Sequence, residues 1–159
     1  MNIDSKIEPE ELVILLNADP VFVEASTLNT GKTQFDLDDA AMFIWQSEVM
    51  ENSRLFSVRD PDGLLVAALT VLIPHPEEQQ PWIGALFVHP DVDFDEVAAP
   101  ALRALEERLS SEGWQAMYVS PMRSDMERIE NWQVNGYSFI EPRLDNNERE
   151  VLVHRKPLG

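Results

Sequence analysis

Ten residues from Leu64 to Ile73, LLVAALTVLI, contain a single polar side chain, that of Thr70. Asp60-Pro61-Asp62-Gly63 precedes the run and Pro74 follows it. A strand with one wet face alternates apolar and polar residues. A continuous apolar run between turn signals is instead a strand buried on both faces, so helices must cover both sides of its sheet. The Asp-Pro-Asp-Gly turn folds it back on Leu55–Arg59 as a β-hairpin. Beyond the looser connection PHPEEQQP, Trp82 to His89 returns as the third strand of a meander.

Elements that could supply the helical cover lie on either side of the meander. Pro9-Glu10-Glu11 opens a short helix through Leu16, with proline and acids in its first turn where the helix dipole favours them. Asp19-Pro20 ends it, and Val21–Ala25 reads as a brief strand or irregular chain. A second helix starts near Phe35–Asp39, capped by Asp36 or Asp38, and its positions Leu37, Ala41, Ile44 and Trp45 recur at helical spacing and are expected in the core. Between these helices, Gly31-Lys32-Thr33 has the ending of a phosphate-binding loop. The glycine that such a loop needs five residues before Gly31 is Ser26, so a polar loop is expected.

After the third strand comes an acidic loop, Pro90–Glu96, then an amphipathic helix over about Ala98–Leu109, which Pro100 keeps from starting before about Val97. Asp95 or Glu96 is placed to cap it. A strand follows at Gln115–Val119, parallel to Trp82–His89 across a βαβ unit. Ser124 and Glu127 form a capping box for a helix bearing Met126, Ile129 and Trp132, and Asn135-Gly136 closes it. Tyr137–Glu141 and Arg149–His154 are the last strands. The chain of 159 residues reads as one domain, helical in residues 1–52.

The net charge of −17 divides as about −11 in residues 1–80 and −6 beyond. Such a field disfavours nucleic acid and anionic membranes and favours cationic small molecules or basic protein partners. No apolar run approaches the roughly 18 residues that span a bilayer. The polar, acidic N-terminus lacks the features of a signal peptide, so a cytoplasmic location is expected. Without cysteine there is no disulfide, thiolate nucleophile or zinc–sulfur site. His75 and His154 have no partner at metal-ligand spacing, and no metal is expected.

Element order and several local phrases together resemble the GNAT family of acyl-CoA-dependent N-acyltransferases. Ile83-Gly84-Ala85-Leu86-Phe87-Val88-His89-Pro90-Asp91 is similar to the family's fourth strand and the start of its coenzyme loop. Ala101-Leu102 with Leu105-Glu106 resembles the following helix, Trp132 with Asn135-Gly136-Tyr137 the phrase before the sixth strand, and Val151–Leu158 the last strand. The resemblance covers about residues 55–159. It implies an α/β fold: a mixed, mostly antiparallel sheet of six or seven strands, flanked by helices, with a central βαβ unit. It also implies acetyl-CoA as cofactor, held by the backbone of Leu86, Phe87 and Val88 and by the helix start at Val97, Ala98 and Ala99.

Departures from the family pattern fall where the chemistry should be. The coenzyme loop of the family carries Arg or Gln, then two glycine or alanine positions that let backbone N–H groups reach a pyrophosphate. Here Asp93 stands for the Arg and Glu96 for the first Gly; Ala98 alone conforms. The tyrosine that serves the family as general acid is Trp132, whose indole N–H is far too weak an acid. The strand Trp82–Val88 lacks the glutamate that many members use as base, leaving His89 at its end as a candidate base. Tyr118 and Tyr137 are expected to pack.

Three functional expectations follow: a GNAT-like protein that has lost catalysis and serves as a binding or regulatory module, with a homodimer as one form; an active N-acetyltransferase on a cationic amine with an atypical coenzyme site; or an acidic protein that docks basic partners or mimics nucleic acid. The observation that weighs most between the first two is whether Trp82–Val88 and Gln115–Val119 splay apart to admit a pantetheine arm.

Overall fold

A computed structural model describes residues 6–27, 30–145 and 148–159. Three helices come first: α1 (Pro9–Asn17), α2 (Pro20–Thr27) and α3 (Leu37–Val49). The meander follows as β1 (Ser53–Arg59), β2 (Leu65–Leu72) and β3 (Trp82–Val88). Then come α4 (Phe94–Ser111), β4 (Ala116–Val119), α5 (Met126–Val134), β5 (Ser138–Leu144) and β6 (Glu150–Pro157). The six strands form one sheet in the order β1-β2-β3-β4-β6-β5, antiparallel except where β3 meets β4. The α/β class and the βαβ unit are as expected, with six strands. No helix of the described residues is long and apolar enough to cross a membrane.

β2 is buried along both faces, as its composition requires. One face packs against α4 and α5, where Val66, Leu69 and Val71 meet Leu102, Leu105 and Trp132. The other carries α1–α3, with Ala68 and Phe87 against Leu12, Leu15 and Leu16. Arg59 ties β1 to α1, its Nη2 donating to Glu11 Oε1 at 2.9 Å. That pairing holds the Glu11 carboxyl below its usual range.

Four local expectations need correction. Val21–Ala25 is helical: α1 ends at Asn17, just ahead of Asp19-Pro20 as expected, but the same pair starts a second helix. The Phe22 N–H donates to Asp19 Oδ1 at 3.1 Å, Pro20 supplies a preset φ, and Phe22 packs edge-on to Phe87 with centroids 4.8 Å apart. In α3, capped by Asp36, the buried stripe is displaced by one residue from Leu37, Ala41 and Trp45. Ala40 and Ser47 are buried, Phe43 and Ile44 half-buried, while Leu37, Ala41 and Trp45 are exposed. α5 is capped by Asp125, which accepts from the Arg128 N–H, not by Ser124. α4 starts at Phe94, ahead of the bound set by Pro100.

That early start is Asp93's doing. Its Oδ1 accepts from the Asp95 N–H at 2.9 Å and the Glu96 N–H at 3.2 Å, satisfying two of the orphan donors of a first turn. Pro100 then stands inside the helix. It forfeits one bond, to the Glu96 carbonyl, and Glu96 is exposed, so water can take that place.

Two features force β3 and β4 apart. The first is a bulge: Val71 pairs with Ile83 but Thr70 with Ala85, leaving Gly84 as the extra residue. The bulge reverses the alternation, so that Leu86 and Val88 face the α4 side and Ala85 and Phe87 the α1–α3 side. The second is Pro121, which ends β4 and sends the chain along β6. The Leu152 N–H donates to the Pro121 carbonyl at 2.9 Å, and Met122 bridges to Val151. Pairing between β3 and β4 is therefore confined to Trp82 with Tyr118 and Ile83 with Val119. The Trp82 and Tyr118 rings stack at 5.1 Å and 12° on this closed end.

A Cβ built on Gly84 would stand 2.8 Å from Thr70 Oγ1. Gly84→Val is expected to cost about 1–3 kcal/mol through overpacking, read as a lower urea midpoint. A variant as stable as the parent would show that the bulge tolerates a side chain.

Candidate functional site

The diverging strands leave a gap that passes from one face of the sheet to the other, with a volume of about 330 Å³. Gly84 to Phe87 form one wall and Val119 to Met122 the other. Helix α2 contributes Val21 and Phe22 on one face, with Asp19 just ahead of it; α5 contributes Arg128 and Trp132 on the opposite face. Of the residues expected to hold a coenzyme, Leu86 and Phe87 line the gap, while Val88 does not and packs on the core. Val97, Ala98 and Ala99 lie in the first turns of α4, with Ala98 fully buried.

The two parts of an acyl-CoA meet different receptions. The walls of the gap are apolar strand edges, suited to a narrow pantetheine arm whose amides can pair with backbone freed by the splay. The α4 start does not suit a pyrophosphate. Its Asp95 and Glu96 N–H groups already serve Asp93, and the carboxylates of Asp91, Asp93, Asp95 and Glu96 gather around it. Each carboxylate about 6 Å from a phosphate charge costs on the order of 3 kcal/mol per unit charge at an effective dielectric near 20. The helix dipole offsets only about 0.3–2 kcal/mol.

Trp132 lines the gap and is buried, its ring edge-on to Tyr137 at 5.3 Å. His89 lies at the end of β3. Its Nδ1 accepts from the Asp91 N–H at 3.1 Å and its backbone N–H donates to the Val66 carbonyl at 2.9 Å, so the ring closes the turn into the acidic loop. The Gly31–Thr33 loop stands away from the gap, with Lys32 Nζ held by Asp36 at 3.3 Å and Asp39 at 3.1 Å. Asn29, beside it, is outside the described residues.

Tyr137 joins a buried structural network instead of the gap. Its hydroxyl donates to Glu106 Oε2 at 2.8 Å, and Lys156 Nζ donates to Glu106 Oε1 at 2.7 Å and to the Asn135 carbonyl at 3.0 Å. The set pins α4, the turn after α5 and β6 together. Burial first, then the neighbouring Glu106, push the phenol well above its ordinary value. The folded state thus keeps a proton that an unfolded tyrosine releases, so stability is whole below about pH 10 and falls as pH rises beyond it. Tyr137→Phe is expected to remove that component. Its urea midpoint should start lower at pH 8 but decline less than the parent's towards about pH 11; parallel declines would mean that Tyr137 does not titrate against folding.

Sequence reasoning missed the charged groups that face the gap: Asp19, Asp125, Arg128, Asp145 and Arg149. Asp19 was legible as a cap beside proline. The others lie on elements whose convergence no spacing along the chain encodes.

Several solved structures share this architecture. An acetyltransferase from Thermus thermophilus is 17% identical with a TM-score of 0.70, over 99% of this chain and 98% of that one. A GCN5-related N-acetyltransferase from Kribbella flavida is 15% identical with a TM-score of 0.66, over 99% and 97%. An aminoglycoside 6'-N-acetyltransferase complexed with coenzyme A is 13% identical with a TM-score of 0.66, over 95% and 91%. No family model matches the sequence, and no curated protein matches it. The chain has the fold of the GCN5-related N-acetyltransferases, the GNAT fold, and is acetyltransferase-like in architecture.

Proposed function

We propose that this chain binds acyl thioesters by their pantetheine arm in the gap between β3 and β4, is impaired in acetyl transfer, and acts as a binding or regulatory module. The observation that carries this reading is the Asp93 carboxylate on the Asp95 and Glu96 N–H groups, which fills the helix-start anion seat with the protein's own charge. Trp132 at the general-acid position and the turn-closing role of His89 Nδ1 support it. The residues that would hold the arm are Leu86 and Phe87, with Val119 opposite. When bound, acetyl-CoA would supply an activated acetyl group; among the described residues that line the gap there is no tyrosine to protonate the departing thiolate. The net charge of −17 favours a basic or cationic partner, and two copies of so acidic a chain would meet with repulsion unless their contact is local.

Isothermal titration with acetyl-CoA, together with a free-thiol assay over a panel of primary amines, tests the proposal. Binding weaker than micromolar with no thiol release is expected. Micromolar binding with turnover of any amine would end the reading.

A second reading is favoured by the open gap itself: an active N-acetyltransferase for a cationic amine. Asp19 faces the gap from the α2 side and would attract such an amine. A neutral amine held at a thioester can react by proximity alone, which is worth up to about 7–11 kcal/mol of barrier. Failure to bind any acyl-CoA at millimolar concentration removes this reading.

A further inference from the structure

We propose that Arg128 is the anion receptor of the gap, its guanidinium taking the pyrophosphate of a coenzyme A thioester in place of the loop arginine that is Asp93 here. The proposal rests on the reading of the gap as the seat of a pantetheine arm. It arises from an unsatisfied donor: Arg128 Nη1 is buried and has no hydrogen-bond partner. A guanidinium presents five N–H donors, and leaving a buried one unmade is costly.

The position of the group specifies its ligand. Arg128 Cζ stands 4.5 Å from the centre of the Phe94 ring, and Phe94 is the first residue of α4. The cation, carried by α5, therefore sits against the first residue of the helix start where a coenzyme's phosphates would lie. The carboxylate facing it is a loose partner. Asp19 Oδ2 is 3.8 Å from Nη2, beyond a good hydrogen bond, and Asp19 Oδ1 already accepts from the Phe22 N–H at 3.1 Å. The other arginine lining the gap, Arg149, is committed to Asp145 at 3.2 Å. Stacked on an aromatic ring, with Nη1 unsatisfied and Asp19 only loosely paired, Arg128 can turn its fork to a bidentate oxyanion, the geometry in which arginine surpasses lysine.

The test titrates the full chain and its R128Q and R128K variants with three probes: acetyl-CoA, S-acetyl-pantetheine, which has the arm without phosphate, and inorganic pyrophosphate. R128Q is expected to lose on the order of tenfold to a hundredfold in affinity for acetyl-CoA, to lose pyrophosphate binding, and to bind S-acetyl-pantetheine as the parent does. R128K should recover only part of the loss, because an ammonium cannot reproduce the fork. Equal losses for acetyl-CoA and S-acetyl-pantetheine would overturn the proposal by showing that Arg128 only shapes the gap. Unchanged binding of acetyl-CoA and pyrophosphate would overturn it directly. If S-acetyl-pantetheine does not bind the parent chain, the arm reading falls by itself. The pyrophosphate titration then decides Arg128 separately: binding that R128Q abolishes sustains the receptor, and no binding to the parent overturns it.

Discussion

Asp93→Ala is expected to bind acetyl-CoA about tenfold more tightly than the parent chain while losing about 1 kcal/mol of stability. The two effects have one origin. In the parent, Asp93 Oδ1 takes the N–H groups of Asp95 and Glu96, which stabilises the first turn of α4 and denies both donors to any ligand. Alanine releases the donors and removes one of the carboxylates that repel a pyrophosphate. Asn is as good a cap as Asp, so Asp93→Asn separates the terms: it lowers the repulsion but keeps the donors engaged, and its gain in affinity should be the smaller. Isothermal titration gives the affinities and urea unfolding the stability. If Asp93→Ala binds no better than the parent, the acidic loop does not govern coenzyme affinity, and the reading of an occupied anion seat fails.

Phe87→Ala is expected to lower stability by about 3–5 kcal/mol, the range for removing a large aromatic from a core. Phe87 is 1% exposed and holds three elements at one point. Its ring is edge-on to Phe22 of α2 at 4.8 Å and to Phe43 of α3 at 5.8 Å, while its backbone forms part of the β3 wall. Such aromatic pairs contribute about 0.5–1.5 kcal/mol beyond their buried area. Phe87→Leu, which preserves most of the volume, should cost markedly less. Urea midpoints of the three proteins decide this, and a loss below about 1 kcal/mol in Phe87→Ala would show that α2 and α3 collapse onto the cavity. Proteolysis should also cut α2 faster in the alanine variant, because Phe22 loses the ring that seats it.

How legible the fold was depended on where each signal lay. The apolar run of β2 and the turn before it predicted a strand with helices on both sides, because burial on two faces leaves no polar positions to hide. The capping of α3 was readable down to Asp36 or Asp38 because a cap acts within three residues, and Asp36 is the one that caps. The errors came where two readings of one local signal competed. Asp19-Pro20 follows the end of one helix and also starts the next, and Phe22, packed on Phe87, makes the chain after it helical rather than extended. The stripe of α3 could be drawn through Leu37 and Trp45 or through Ala40 and Ser47, and packing against α1 and the sheet selected the second. Pro100 bounded α4 too late because the cap that outweighs a lost hydrogen bond lay seven residues upstream.

The candidate site divides along the same line. By itself the sequence determined the strand Trp82–Val88 and the acidic loop after it, and the family resemblance set Asp93, Glu96 and Trp132 against the Arg, Gly and tyrosine it leads one to expect. The strand and the loop are properties of residue identity at short range, which periodicity and counting recover; the other assignments rest on the resemblance. The tertiary structure alone decided that β3 and β4 splay, since this depends on a bulge at Gly84 and on Pro121 turning the chain to β6. It alone decided that Asp93 is the cap that closes the anion seat. It also brought Arg128 and Asp19 to within 3.8 Å through the gap from opposite faces of the sheet. Their separation in sequence exceeds a hundred residues, and charges so far apart along a chain meet only when the layers between them have packed.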